Sequence, residues 1–87
     1  MTTTDVVRRL LLNTVRYESP ADLEADDFPL IDNHVIDSLE VMRLIELIES
    51  EFGIRVDDED VVPGNFCTID AIARFVEAKR AASTVSR

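Results

Sequence analysis

Eighty-seven residues, 46% of them hydrophobic, are enough for one small core without a disulfide or metal staple. A single cysteine excludes an internal disulfide or a multi-cysteine metal site, and a net charge of −9 argues against nucleic acid and anionic lipid as partners. Two glycines and three prolines leave too few turns for a many-stranded β fold, so helices are expected.

Thr4 is the expected N-cap of a first helix. Val6, Val7, Leu10, Leu11, Thr14 and Val15 recur at helical spacing, with Arg8, Arg9, Asn13 and Arg16 on the other face. This helix should run to about Tyr17, where Glu18-Ser19-Pro20 stops it, because proline disfavours helix at the residue before it. Leu10-Leu11-Leu12 is too short for a signal-peptide core. Residues 19–36 then form a long acidic connection. Leu23, Phe28, Leu30, Ile31, Val35 and Ile36 interrupt it, and a disordered linker would need none of them. An ordered loop pinned over the core is expected, with one helical turn near residues 21–26. Loops of this length are uncommon unless they are functional.

The strongest helical pattern follows. Asp37 is its N-cap, and Glu40 three residues on completes a capping-box signature. Val41, Leu44, Ile45, Ile48 and Phe52 make its buried stripe, widened by Leu47. Glu40, Arg43, Glu46, Glu49 and Ser50 fall largely opposite, and Gly53 closes the helix. Ile54-Arg55-Val56 has an extended pattern, and residues 57–62 have the pattern of a short helical turn that Pro63-Gly64 breaks. Residues 65–68 lead into a last helix. Thr68 caps it, Ile69, Ile72, Ala73, Phe75 and Val76 lie toward the core, and residues 81–87 form a flexible tail. The fold class expected is all-α: a small up-and-down bundle of three main helices plus one short helix, with a long first loop. One domain spans residues 1–87, its core at about 5–80. No apolar run approaches the ~18 residues of a membrane span, so the chain is read as cytoplasmic, monomeric and without a membrane partner.

Few residues offer chemistry. Ser38 and His34 lie four apart, but Ser38 lacks a Gly-x-Ser-x-Gly elbow, and Asn33-His34 reads as a turn. The acidic run Asp57–Asp60 lacks the alternation and glycine of a calcium loop. Gly53 and Gly64 are too far apart for a phosphate cradle. Cys67, beside Phe66 and Ile69, reads as a small core residue. Ser38 remains. At the first turn of a helix, unpartnered N–H groups and the positive end of the dipole suit a phosphate on its oxygen. Asp37-Ser38-Leu39-Glu40 is equally a plain capping box, and such a box needs no function.

Asp-Ser-Leu at the head of an amphipathic helix, after a long acidic first loop, resembles the acyl carrier protein family. LIDNHVIDSLEVMRLIELIESEFGIRVDDEDV is similar to that family's loop end, second helix, glycine stop and acidic turn, and NFCTIDAIARFV to its approach to the last helix. The likeness covers about residues 5–80. It implies 4′-phosphopantetheine on Ser38, flanked by Asp37 and Leu39, and placed there by a phosphopantetheinyl transferase from coenzyme A. The arm's thiol would carry an acyl or aminoacyl group as a thioester, and the chain itself would catalyse nothing. Glu40, Arg43, Glu46 and Glu49 would belong to the docking face for partner enzymes. Two departures stand out. Arg43 occupies a position that is acidic in typical fatty-acid carriers, and Glu46 one that is usually apolar. Val35-Ile36 also stand where peptidyl carriers of large synthetases have paired glycines. The pattern is closest to discrete carriers served by a separate adenylating ligase and downstream synthase or transferase enzymes in natural-product biosynthesis. A fatty-acid or polyketide carrier is the alternative within the class. An unmodified helical adaptor is the alternative outside it.

Overall fold

The computed structural model describes residues 2–15, 23–32 and 35–85. These form four helices in the order α1 (Thr3–Thr14), α2 (Ser38–Phe52), α3 (Pro63–Phe66) and α4 (Ile69–Val85). A 3-10 turn at Asp58–Asp60 lies between α2 and α3. There is no strand among the described residues, so the structure is the expected all-α bundle of three main helices and one short one.

The cap of α1 is Thr2, not Thr4. The Thr2 hydroxyl accepts the Asp5 N–H at 3.1 Å, and the Asp5 carboxylate accepts the Thr2 N–H at 3.3 Å. This capping box was legible in the Thr-x-x-Asp spacing, and it wins because it satisfies two orphan donors where Thr4 would satisfy one. The Thr2 N–H first, and the Thr2 side chain next, hold the Asp5 carboxyl below its ordinary pKa, with the Arg8 charge a smaller contribution. The helix ends at Thr14, short of Tyr17; Tyr17 and the Glu18-Ser19-Pro20 stop lie outside the described residues.

Val7, Leu10 and Leu11 of α1, Leu44, Ile45 and Ile48 of α2, and Ile69, Ile72, Ala73, Phe75 and Val76 of α4 form one buried cluster. The α1 helix packs most extensively against α4 and next against α2. Phe66 of α3 is buried and meets Phe75 in a tilted ring pair, with centroids 5.6 Å apart. Pro63-Gly64 does not break the chain out of helix. Pro63 opens α3, because the first turn of a helix needs no N–H at that position. Residues 65 and 66, expected as a lead-in, belong to that helix. Thr68 caps α4 as expected, its hydroxyl accepting the Ala71 N–H at 3.0 Å. The helix runs on to Val85, beyond the limit near residue 80 that the apolar pattern sets. Ala81 and Ala82 are strong helix formers that extend it.

The long connection is ordered where it is described. Leu23, Leu30, Val35 and Ile36 are buried, and Leu23-Glu24 forms a short 3-10 turn near the expected position. Backbone bonds strap the segment to the α3–α4 junction: Leu30 N–H to the Cys67 carbonyl at 2.7 Å, and Asp70 N–H to the Asp26 carbonyl at 2.9 Å. Arg8 is not a solvated face residue. Its guanidinium donates to the Leu23 carbonyl at 2.8 Å, to the Glu24 carbonyl at 3.3 Å and to the Asp26 carboxylate. One arginine of α1 therefore fixes residues 23–26 of the connection that leads to Asp37.

Candidate functional site

The site is the head of α2. Asp37 has extended backbone and caps the helix; Ser38 holds the first helical position. The Asp37 carboxylate accepts the Glu40 N–H at 2.9 Å, and the Glu40 carboxylate accepts the Asp37 N–H at 3.1 Å. The Val41 N–H donates to the Asp37 carbonyl at 2.9 Å and starts the helical ladder. Buried Val35 and Ile36 plug the chain into the core just before the cap, and the Val35 N–H closes a turn onto the Leu30 carbonyl at 2.8 Å. The start of α2 is thus fixed from both sides.

An open groove of about 550 Å³ runs beside this point. Ile31, Ile36, Val41, Met42, Val61, Val62 and Phe66 line it, together with Asp37 and Pro63. Val61 and Val62 are exposed, as are Leu39 and Met42 on α2. Leu39, at 81% exposure, lies outside the core entirely. The signal for this apolar patch was present in the sequence: Leu39 and Met42 fall off the buried stripe of α2, and Val61-Val62 follows an acidic run where a solvated turn needs no valines. Met42, Val61 and Val62 were nonetheless not expected at the site.

The wall carrying Val61 and Val62 is tied down. Lys79 of α4 bridges Asp60 at 2.5 Å and Asp57 at 3.3 Å. The hydrogen bond from Lys79 holds the Asp60 carboxyl below its ordinary pKa, and the same bond raises Lys79. The Asn65 side-chain amide donates to the Asp60 carbonyl at 2.8 Å. The acidic turn is therefore a braced structural element, and no group of three metal-ligating side chains occurs among the described residues. Cys67 is half-buried, its thiol 3.8 Å from the Gly64 carbonyl.

The other sequence-selected residues divide. Arg43 and Glu46 are exposed on α2. Arg43 shares a second recess, of about 360 Å³, with Thr14, Asp37, Leu39 and Glu40. Glu49 is half-buried, and its carboxylate accepts the Val56 N–H at 2.8 Å, which pins the residues after α2. Asn33 and His34 lie outside the described residues. No helix of the described residues is long and apolar enough to cross a membrane.

The residues present suit a phosphate-linked arm. The helix start supplies the N–H groups and positive dipole end that favour a phosphodiester. The groove beside it offers an apolar trough to whatever extends from there. Comparison with known proteins points the same way. The family model for the phosphopantetheine attachment site matches residues 6–76. An acyl carrier protein of Thermotoga maritima is 37% identical over 54 residues, which cover 62% of this chain and 64% of that protein. The matched segment thus spans just under two thirds of the relative's length.

Proposed function

The chain belongs to the phosphopantetheine-attachment family, and from that premise we propose that Ser38 is the residue that bears the group, on a discrete carrier of acyl or aminoacyl cargo. The cofactor of the family is 4′-phosphopantetheine, covalently attached. The observation that carries the residue assignment is the position of Ser38: first in α2, directly after a cap held by a reciprocal hydrogen-bond pair, inside the matched segment.

When attached, the arm supplies a terminal thiol that holds cargo as a thioester. This chain's own residues do the rest. Asp37 and Glu40 hold the backbone of the first turn of α2 in place. Their carboxylates are turned to backbone N–H groups, and the dipole end is left to favour added negative charge by ~0.3–1 kcal/mol. Ile36, Val41, Met42, Val61 and Val62 offer an apolar track beside the attachment point. Exposed Leu39 and Met42, with Glu40, Arg43, Glu46 and Glu49, form the docking face for a phosphopantetheinyl transferase, an adenylating ligase and downstream synthase or transferase enzymes. The chain catalyses nothing and works as a monomeric cytoplasmic shuttle, and the mixed charge of its docking face fits a natural-product pathway. A general acyl carrier role is the second reading, favoured by the name of the Thermotoga relative.

The test is direct. Incubation with coenzyme A and a permissive transferase adds one phosphopantetheine to the intact mass, and Ser38→Ala blocks the addition. An unchanged mass with several active transferases, or undiminished modification of Ser38→Ala, refutes the assignment.

A further inference from the structure

We propose that the enzyme that modifies Ser38 must seat a carboxylate against Arg43, and that this contact selects which enzymes accept the chain. The proposal rests on the Ser38 assignment and adds the chemistry of the partner. An enzyme acting on a group in the first turn of α2 has to cover the residues around it. Those are Leu39, 81% exposed, and Met42, 52% exposed, with Val61 and Val62 across the groove. Covering so apolar a patch excludes water from the charges at its edge, which then need partners.

Most of the charges of α2 have partners already. Glu40 accepts the Asp37 N–H, Glu49 accepts the Val56 N–H, and Glu51 pairs with Arg9 of α1 at 3.4 Å. Arg43 and Glu46 have no such contact among the described residues. Arg43 is also the one basic residue between Arg16 and Arg55 in the sequence. The carboxylates that share its recess, Asp37 and Glu40, each accept one N–H of the capping box, and neither is paired with Arg43. A guanidinium keeps its charge and its five donors under all ordinary conditions. Once covered, it needs an acceptor, and no carboxylate of the described residues lies within ion-pair distance of it. A planar fork of donors is best met by a carboxylate in bidentate fashion.

The net charge of −9 still attracts basic surfaces at long range. At contact, a uniformly basic partner would set like charge against Arg43, and such juxtaposition works against binding. The matching surface is therefore apolar at its centre, basic where it meets Glu46, and acidic where it meets Arg43.

The experiment is steady-state phosphopantetheine transfer by the transferase of the same host. Coenzyme A is saturating, the chain is the varied substrate, and intact mass is the readout. Far-UV circular dichroism confirms that each variant keeps its helices. Arg43→Glu should raise KM roughly 10-fold or more, with kcat nearly unchanged, because a covered like-charge contact weakens binding to that degree. Arg43→Lys should lose less. Reversing one Asp or Glu at the transferase's docking rim to Arg should restore Arg43→Glu. A wild-type or lower KM for Arg43→Glu overturns the proposal, and so does a raised KM that no single reversal relieves. Ser38→Ala separates the two readings. If it is still modified, the Ser38 assignment falls. If modification needs Ser38 but ignores Arg43, only the selection by Arg43 falls.

Discussion

Asp37→Ala removes one half of the lock on the head of α2, and its consequence can be worked from the geometry. The carboxylate accepts the Glu40 N–H at 2.9 Å, and Asp37 is exposed, so no cavity is left behind and nothing repacks. Replacing a capping aspartate by alanine costs about 1 kcal/mol, within a range of roughly 0.5–2. Loss of a negative charge at the positive end of the helix accounts for ~0.3–1 kcal/mol of that. Asp37→Asn keeps an acceptor and loses only the charge, so it should fall between wild type and Asp37→Ala. In a chain of this size each kcal/mol lowers the melting temperature by about 4–8 °C. Thermal unfolding of the apo protein, followed by far-UV circular dichroism, reads the order. Intact-mass kinetics on the same samples should show Ser38 modification slowing in that order too, because the first turn frays while the core stays folded. If Asp37→Ala unfolds at the wild-type temperature, or Asp37→Asn costs as much as Asp37→Ala, the hydrogen bond does not hold the head of α2 and the presentation argument fails.

Two further outcomes are expected. Gly53 closes α2 at φ 65° with nothing within 4 Å of an added Cβ, so Gly53→Ala costs only the left-handed backbone, about 1–2 kcal/mol. Gly64 also has open space but sits inside α3 without a positive φ, so Gly64→Ala should stabilise by about 0.4–1 kcal/mol. Urea unfolding of both variants checks the opposite signs, and a shared sign refutes the backbone account. Lys79 and Asp60 set the pH dependence of the wall beside the groove. Asp60 is held below its ordinary 3.8, so its stabilisation is present above that value and lost as pH falls through the lower folded value. Lys79 is raised above 10.5, so its share is present below 10.5 and lost as pH climbs through the higher folded value. Lys79→Ala should therefore lower stability across the plateau and flatten both limbs of a denaturation-midpoint titration; parallel curves for wild type and variant would refute the bridge.

How much was legible in the sequence depends on whether local patterns or distant contacts decide. The stripe of α2, the Asp37 cap, the Gly53 stop and the Thr68 cap are local, set by residues three or four apart, and each stands where the spacing places it. The head of α2 was readable for the same reason. The Thr2 cap is equally local, with its partner Asp5 three residues on. The rest required partners remote in sequence. Arg8 reads as an outward residue on a helical wheel, yet Leu23, Glu24 and Asp26 converge on it. The Val56 N–H bonds the Glu49 carboxylate from seven residues away, a pairing that helical spacing does not show. The groove is assembled from the loop, α2, α3 and the segment before it, so no single stretch carries its pattern.

That α1 lies mainly on α4, with the Thr3 hydroxyl bonded to the Glu77 carboxylate, has a kinetic consequence. Residues 3–14 are completed by residues 69–85, so a nascent chain cannot finish this core until α4 has emerged. Closing so long a span costs little more entropy than closing a short one, since the penalty grows only as the logarithm of length. The expense is time: α1 and α2 must wait with part of their apolar surface uncovered, and assembly ends when α4 docks.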